Sequence, residues 1–230
     1  LVTTVFGNND YALRFIPFLA YLLALFYTFK SSKLLVKSVV FSLLATAILS
    51  LNYKLLYYSW EVKQYSLDVF VSVLILYYSL KVLNAPTTKK LIIYTIIGVI
   101  SIWFSNISII VLSAFGGYVL YYLIIKQKNF KMLLIGVFWA LSFFAYYSLF
   151  LYDHPINKEA TMLDFWEYGF LPANPFSLDF YSYFAHIAKD ICYFMMEGYV
   201  LMMIPAIFIC IAIVNAIITR FYPLLYILLV

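Results

Sequence analysis

KLIIYTIIGVISIWFSNISIIVLSAFGGYVLYYLII occupies residues 90–125, 36 residues with no charge after Lys90. One crossing of a hydrocarbon core about 30 Å thick takes about 20 apolar residues. The stretch is therefore too long for one helix and just long enough for two. It reads as a lipid-embedded helical hairpin broken at Ser105–Asn106, with Asn106 capping the second helix. Gly116–Gly117 reads as a point of close helix packing.

The rest of the chain agrees with that solvent. It is 66% hydrophobic, 21% aromatic and only 11% charged, with a mean hydropathy of +0.98, where soluble domains are about 45–50% apolar. The expected fold is all-α, a polytopic transmembrane bundle forming a single domain over 1–230. Apolar segments fall at 11–29, 36–58, 64–83, 90–104, 106–125, 131–152 and 199–219, with a truncated start at 221–230: seven spans and a stub. The chain opens on Leu1 and stops inside FYPLLYILLV, so a fragment of a longer protein is expected. LVTTVFGNND has neither the basic nor the apolar region of a signal peptide. Cys192 and Cys210, 18 residues apart with no CxxC or Cys/His cluster, read as small apolar fillers rather than metal or redox groups.

Charge supplies the orientation, because cytoplasmic loops are enriched in Lys and Arg. On this topology one face collects Lys30, Lys33, Lys37, Lys81, Lys89, Lys90, Lys126, Lys128, Lys131 and Arg220, and no acid. The opposite face collects Arg14, Lys54, Lys63, Lys158 and Lys189 with all the acids: Asp10, Glu61, Asp68, Asp153, Glu159, Asp164, Glu167, Asp179, Asp190 and Glu197. The second face is read as external. The net charge of +5 then reports orientation, and no nucleic-acid partner is implied. The partner is the bilayer.

One external connection is long, 153–197. Polar residues recur there at Asp179, His186, Asp190 and Glu197, while Leu178, Tyr181, Ala185, Ala188, Ile191 and Met195 share the other face. This predicts an interfacial helix over 177–196, preceded by an aromatic, proline-bearing loop with Trp166, Phe170, Pro172 and Pro175. The alternative is a packed lid that touches no substrate.

YYSWEVKQYSLD (57–68) places Glu61, Lys63 and Asp68 within eight residues at the external end of the third segment. If 61–68 is helical, Glu61, Tyr65 and Asp68 follow i, i+4, i+7 and share a face. Asp68 then lies about one turn into hydrocarbon, a costly position unless it faces water or a base. Arg14 stands one turn into the first segment near the same membrane face. Arg14, Glu61, Lys63, Tyr65 and Asp68 are thus expected to line one outward-opening cavity. The competing reading is a structural ion pair, Arg14 or Lys63 with Glu61 or Asp68.

FGNNDYALRFIPFLAYLLAL (6–25), YYSWEVKQYSLDVFVSVLILYYSL (57–80), WFSNISIIVLSAFGGYVLYYLI (103–124) and FWEYGFLPANPFSLDFYSYFAH (165–186) resemble, in this order, the membrane core of GT-C glycosyltransferases. More narrowly they resemble glycosyltransferase family 39, with its protein mannosyltransferases and lipid A aminoarabinose transferases. Phe6, Gly7, Ala12, Leu13, Arg14 and Pro17 match that family's FG-x-x-E-x-A-L-R-x-P pattern in kind, with Asp10 for Glu and two residues before the proline. Tyr58, Ser59, Glu61, Tyr65 and Leu67 match its Y-S-x-E-x-R-x-Y-x-L pattern, with Lys63 for Arg, and Asp68 coincides with a Leu-Asp of the same branches.

The resemblance implies transfer of a sugar from a polyprenyl-phosphate carrier at the external face of a bacterial inner membrane, without a metal or other cofactor. Lys63, and after it Arg14, would stabilise charge on the departing phosphate. Glu61 and Asp68 would orient, and the catalytic acid is expected in a loop before Leu1. His154 and His186, 32 residues apart, are expected as loop and interface residues. The rival classes are a non-catalytic GT-C-like subunit of a membrane complex and a transporter of lipid-linked substrate. The paired, Gly/Pro-broken repeats of a transporter are not visible, since Gly116–Gly117 and Pro205 do not correspond across halves.

Overall fold

The computed structural model describes residues 9–152, 172 and 174–196. No strand occurs among them. The chain divides into two compact units, residues 1–145 with 222–230 and residues 146–221.

The first unit begins with α1, Asp10–Val36, whose first turn is capped by Asn9 accepting from the Ala12 amide. The helix ends at Lys37, which takes the left-handed conformation (φ 55°) and donates its amide to Lys33, as C-terminal caps commonly do. The return limb, expected as one span over 36–58, is two helices: α2, Val39–Ser50, and α3, Tyr53–Tyr58. Leu51 and Asn52 break it because the Asn52 side chain accepts from the Leu55 amide and starts a new helix. At the break Tyr21 of α1 donates its hydroxyl to the Ser50 carbonyl at 3.0 Å.

Two further helices form a hairpin, α4 (Tyr65–Asn84) and α5 (Thr88–Phe104). Its register is fixed by two side-chain bonds, Ser79 to Tyr94 at 2.7 Å and Ser105 to Asp68 at 2.6 Å. At the closed end Lys90 donates from Nζ to the carbonyls of Ala85 at 2.7 Å and Lys81 at 3.4 Å, where a cation also meets the negative end of the α4 dipole. The hairpin of residues 90–125 is present: Ser105 ends α5, and α6 runs over Ser108–Lys126. Asn106, however, is not its cap. Ile107 holds that position without a side-chain bond, and the Ser108 amide turns back to the Ser105 carbonyl. Helix α6 widens to i→i+5 bonding at Leu112–Gly116 and Tyr122–Lys126, and α7 follows over Leu133–Leu151.

Four of these helices, α1, α4, α6 and α7, are long and apolar enough to cross a membrane. Helix α5 has 17 residues and α2 only 12, and the expected segments 199–219 and 221–230 lie outside the described residues. What the helices bury fits that environment. The buried stripe of α4 is Ser66, Asp68, Val71, Ile75, Ser79 and Val82, at helical spacing. Among the described residues the buried polar side chains are serines and Asp68, while large apolar residues such as Phe41, Leu44, Ile96 and Leu141 are exposed. Small residues let helices approach where lipid supplies no hydrophobic drive for association.

The clearest case centres on Trp139 of α7. A Cβ added at Gly98 of α5 would overlap its indole, and one at Gly116 of α6 would come within 2.6 Å of its Cζ3. The indole N–H donates to the Thr95 carbonyl at 3.1 Å, and the ring meets fully buried Tyr94 edge-on at 5.2 Å. Three helices therefore close on one side chain, and the close packing expected at Gly116 is present.

In the second unit α8 runs over Leu178–Met196, matching the helix expected at 177–196. Ser177 caps it, accepting from the Phe180 amide at 3.2 Å. His186 and Asp190 face each other at 3.1 Å on the polar side, and Leu178, Tyr181 and Phe184 expose apolar rings and chains. Trp166 and Phe170 lie outside the described residues.

Candidate functional site

The return limb α2–α3 carries the chain back toward the N-terminal half of α1, so the bend 59–64 and the start of α4 lie at that end of the bundle. Asp10, Arg14, Glu61, Lys63 and Asp68 belong to this end. Lys33, Lys37, Lys81, Lys89, Lys90, Lys126 and Lys128 belong to the other. Residues 61–64 are a bend rather than the first turn of a helix, so Glu61 does not share a helical face with Tyr65 and Asp68 as the i, i+4, i+7 reading required. Their grouping comes from the bend.

Tyr57, at the end of α3, donates its hydroxyl to Glu61 Oε1 at 2.6 Å, and Lys63 Nζ stands 3.1 Å from Oε2. Oε1 thus takes a hydrogen bond, and Oε2 is ion-paired with Lys63 without a hydrogen bond of its own. The Tyr57 bond first, and the Lys63 ammonium second, hold the Glu61 carboxyl below the usual carboxylate range. Bonding to Glu61 and its charge push the Lys63 ammonium up. A general base works best with a pKa near the operating pH. Glu61, ionised and occupied on both oxygens, is better suited to positioning. Lys63 is a permanent cation, about half exposed (56%), that lies 5.9 Å from the centre of the Tyr65 ring. That ring packs on Tyr58 at 4.5 Å. With one direction taken by Glu61, the remaining ammonium N–H groups are available to an anion.

The other two predicted residues have different bonding partners. Arg14 is paired with Asp10 at 3.9 Å, one turn back on its own helix, and among the described residues no bond or ion pair joins it to Glu61, Lys63 or Asp68. Asp68 is buried, 4% exposed, and takes its bond from Ser105 rather than from a base. The five residues are therefore arranged as a Glu61–Lys63–Tyr65 rim, a separate Arg14–Asp10 pair and an inward carboxylate. Of the ion pairs weighed from sequence, Lys63 with Glu61 is the one formed.

Sequence reasoning missed Tyr57 and Ser105 as partners. Tyr57 lay within the quoted stretch, one helical turn before Glu61. Ser105 was read only as a helix break. Among the described residues no group of His, Cys, Asp and Glu is arranged to hold a metal.

With four helices long and apolar enough to cross a membrane and an aromatic, charged rim at one bundle end, the class fits an integral membrane protein of the helical type. No protein-family model, curated protein or solved structure matches the chain.

Proposed function

We propose that this chain belongs to a membrane glycosyltransferase that moves a sugar from a polyprenyl-phosphate carrier to a lipid, glycan or protein acceptor at the external face of a bacterial cytoplasmic membrane. The observation that carries the reading is the Lys63 ammonium, held by Glu61 at 3.1 Å over the Tyr65 ring, within the stretch that resembles the family's Y-S-x-E-x-R-x-Y-x-L pattern. As the glycosidic bond breaks, negative charge grows on the carrier phosphate, and a cation already oriented for it lowers the barrier electrostatically. Glu61 fixes the direction of that cation, and the tyrosines give the carrier an amphipathic surface at headgroup depth. Asp68 serves as a packing carboxylate beneath the rim. No catalytic acid is assigned among these residues, and the reading calls for no metal or cofactor.

The test is sugar transfer from a polyprenyl-phosphate donor by the full-length protein in membranes. Lys63→Ala is expected to abolish transfer with insertion and amount unchanged, and Lys63→Arg to retain it. Normal transfer by Lys63→Ala sinks the assignment. Lowered amount with normal specific activity makes Lys63 structural. Orientation is tested separately by labelling single cysteines with Cys192 and Cys210 replaced by Ala: Glu159→Cys should react from outside and Lys128→Cys should not.

A further inference from the structure

At the end of the first unit opposite the rim, a groove of about 680 Å³ lies between α5, α6 and α7. Its walls are mostly apolar, with Ile96 and Val99 from α5, Leu123 from α6 and Phe138 from α7; Thr95 also lines it but donates its hydroxyl to the Leu91 carbonyl, and the other polar groups, Thr88, Gln127 and Asn129, lie at one end. Between Thr88 and Val99, both lining residues, α5 rises about 16 Å. That is half of a hydrocarbon core about 30 Å thick, the depth of one leaflet.

Charge at the mouth has one sign. Lys89 follows lining residue Thr88, Lys126 and Lys128 flank lining residue Gln127, and all three lysines are exposed. Lys90 is spent on capping α4. From Val69 to Tyr152 the sequence contains no Asp or Glu, so no carboxylate on α5, α6 or α7 neutralises them. A slot that is apolar to one-leaflet depth and cationic at its mouth matches an amphiphile with an anionic head and a tail of that length.

We propose that this groove holds one acyl chain of an anionic glycerophospholipid, whose phosphate lies against Lys89, Lys126 and Lys128. The proposal requires only that α5–α7 stand in a bilayer. It is independent of sugar transfer and at the other end of the bundle from Lys63.

Native mass spectrometry of the full-length protein, released from detergent with equal added phosphatidylglycerol and phosphatidylcholine of the same chain length, tests it. The wild type is expected to retain one phosphatidylglycerol at least about tenfold over phosphatidylcholine, because each lysine near the surface favours an anionic lipid severalfold. Lys89→Gln/Lys126→Gln/Lys128→Gln should retain the two lipids equally. Ile96→Trp, which fills the groove, should retain neither. Equal retention by the wild type, no retained lipid (the result if another part of the chain fills the groove), or unchanged phosphatidylglycerol on Ile96→Trp overturns the proposal. If Ile96→Trp does not fold, the lysine variant, altered only at exposed positions, still decides: a preference kept without the lysines sinks it.

Discussion

Trp139 and Tyr65 each pack against another aromatic ring beside a polar partner, yet Trp139 is 7% exposed and Tyr65 43%. The rings are similar, and the neighbouring backbone differs. Around Trp139, Gly98 and Gly116 withdraw their side chains so that two helices close on the indole, and its N–H ends on a backbone carbonyl. The stretch 57–68 around Tyr65 contains no glycine. Trp60 and Val62, both exposed, occupy the bend, and the polar partner is a mobile class of side chain, a lysine. An aromatic ring becomes a core knot where the backbone makes room, and part of a surface rim where a charged bend keeps helices apart.

Substitutions at four residues separate the two regions. The largest effect is expected at the knot, where Trp139→Ala removes the ring from between three helices and should cost about 3 kcal/mol, read as lost thermal stability in detergent. A melting temperature equal to wild type would remove the distinction altogether. Gly98→Ala comes next, at about 1–3 kcal/mol of overpacking. Its cost should fall sharply beside Trp139→Phe, and a double-mutant cycle with no coupling would show that glycine and indole are not in contact. Ser105→Ala, beneath the rim, leaves Asp68 without its donor in a buried place and should cost about 1 kcal/mol. Ser105→Thr keeps the hydroxyl and should cost less.

The smallest effect is expected at the rim itself, and it is a pH effect. Glu61 is held below its unfolded value, near 4.3, so the stability it contributes is fully present above that value and is lost as pH falls through the lower folded pKa. The wild-type melting temperature should be flat from pH 8 to about 5 on this account and drop slightly below about 4, a drop that Glu61→Gln should reduce. A large loss between pH 7 and 5 traced to Glu61 would mean that the carboxyl is not held low and the rim is misread.

The helical hairpin of 90–125 was legible because an uncharged run of that length leaves lipid few alternatives, and α8 was legible because its polar residues kept a helical period. The split of 36–58 was not legible. Asn52 is one polar residue inside an apolar run, and whether its side chain caps a helix or faces a neighbour depends on the helix beside it. At the rim, composition showed that charges sit where spans end, but not which charges meet. Arg14 could have reached across to Glu61 by position alone. It instead meets Asp10, one turn away on α1, while Tyr57 and Lys63 take both oxygens of Glu61. Asp68 shows the same limit. Its position in the helix was readable, and its partner Ser105, 37 residues away, required the fold.

The bond from Tyr21 to Ser50 has a consequence for biosynthesis. A break in a helix leaves carbonyls without intrahelical donors, and in hydrocarbon each bare polar group costs several kcal/mol. Alone, the segment 39–58 would carry the Ser50 carbonyl into that environment with nothing to receive it. Tyr21 leaves the ribosome 29 residues ahead of Ser50, so the donor exists before the acceptor needs it. The order of synthesis thus runs in the direction the membrane requires, with a continuous helix first and the interrupted one second, against a surface that already carries its missing hydrogen bond.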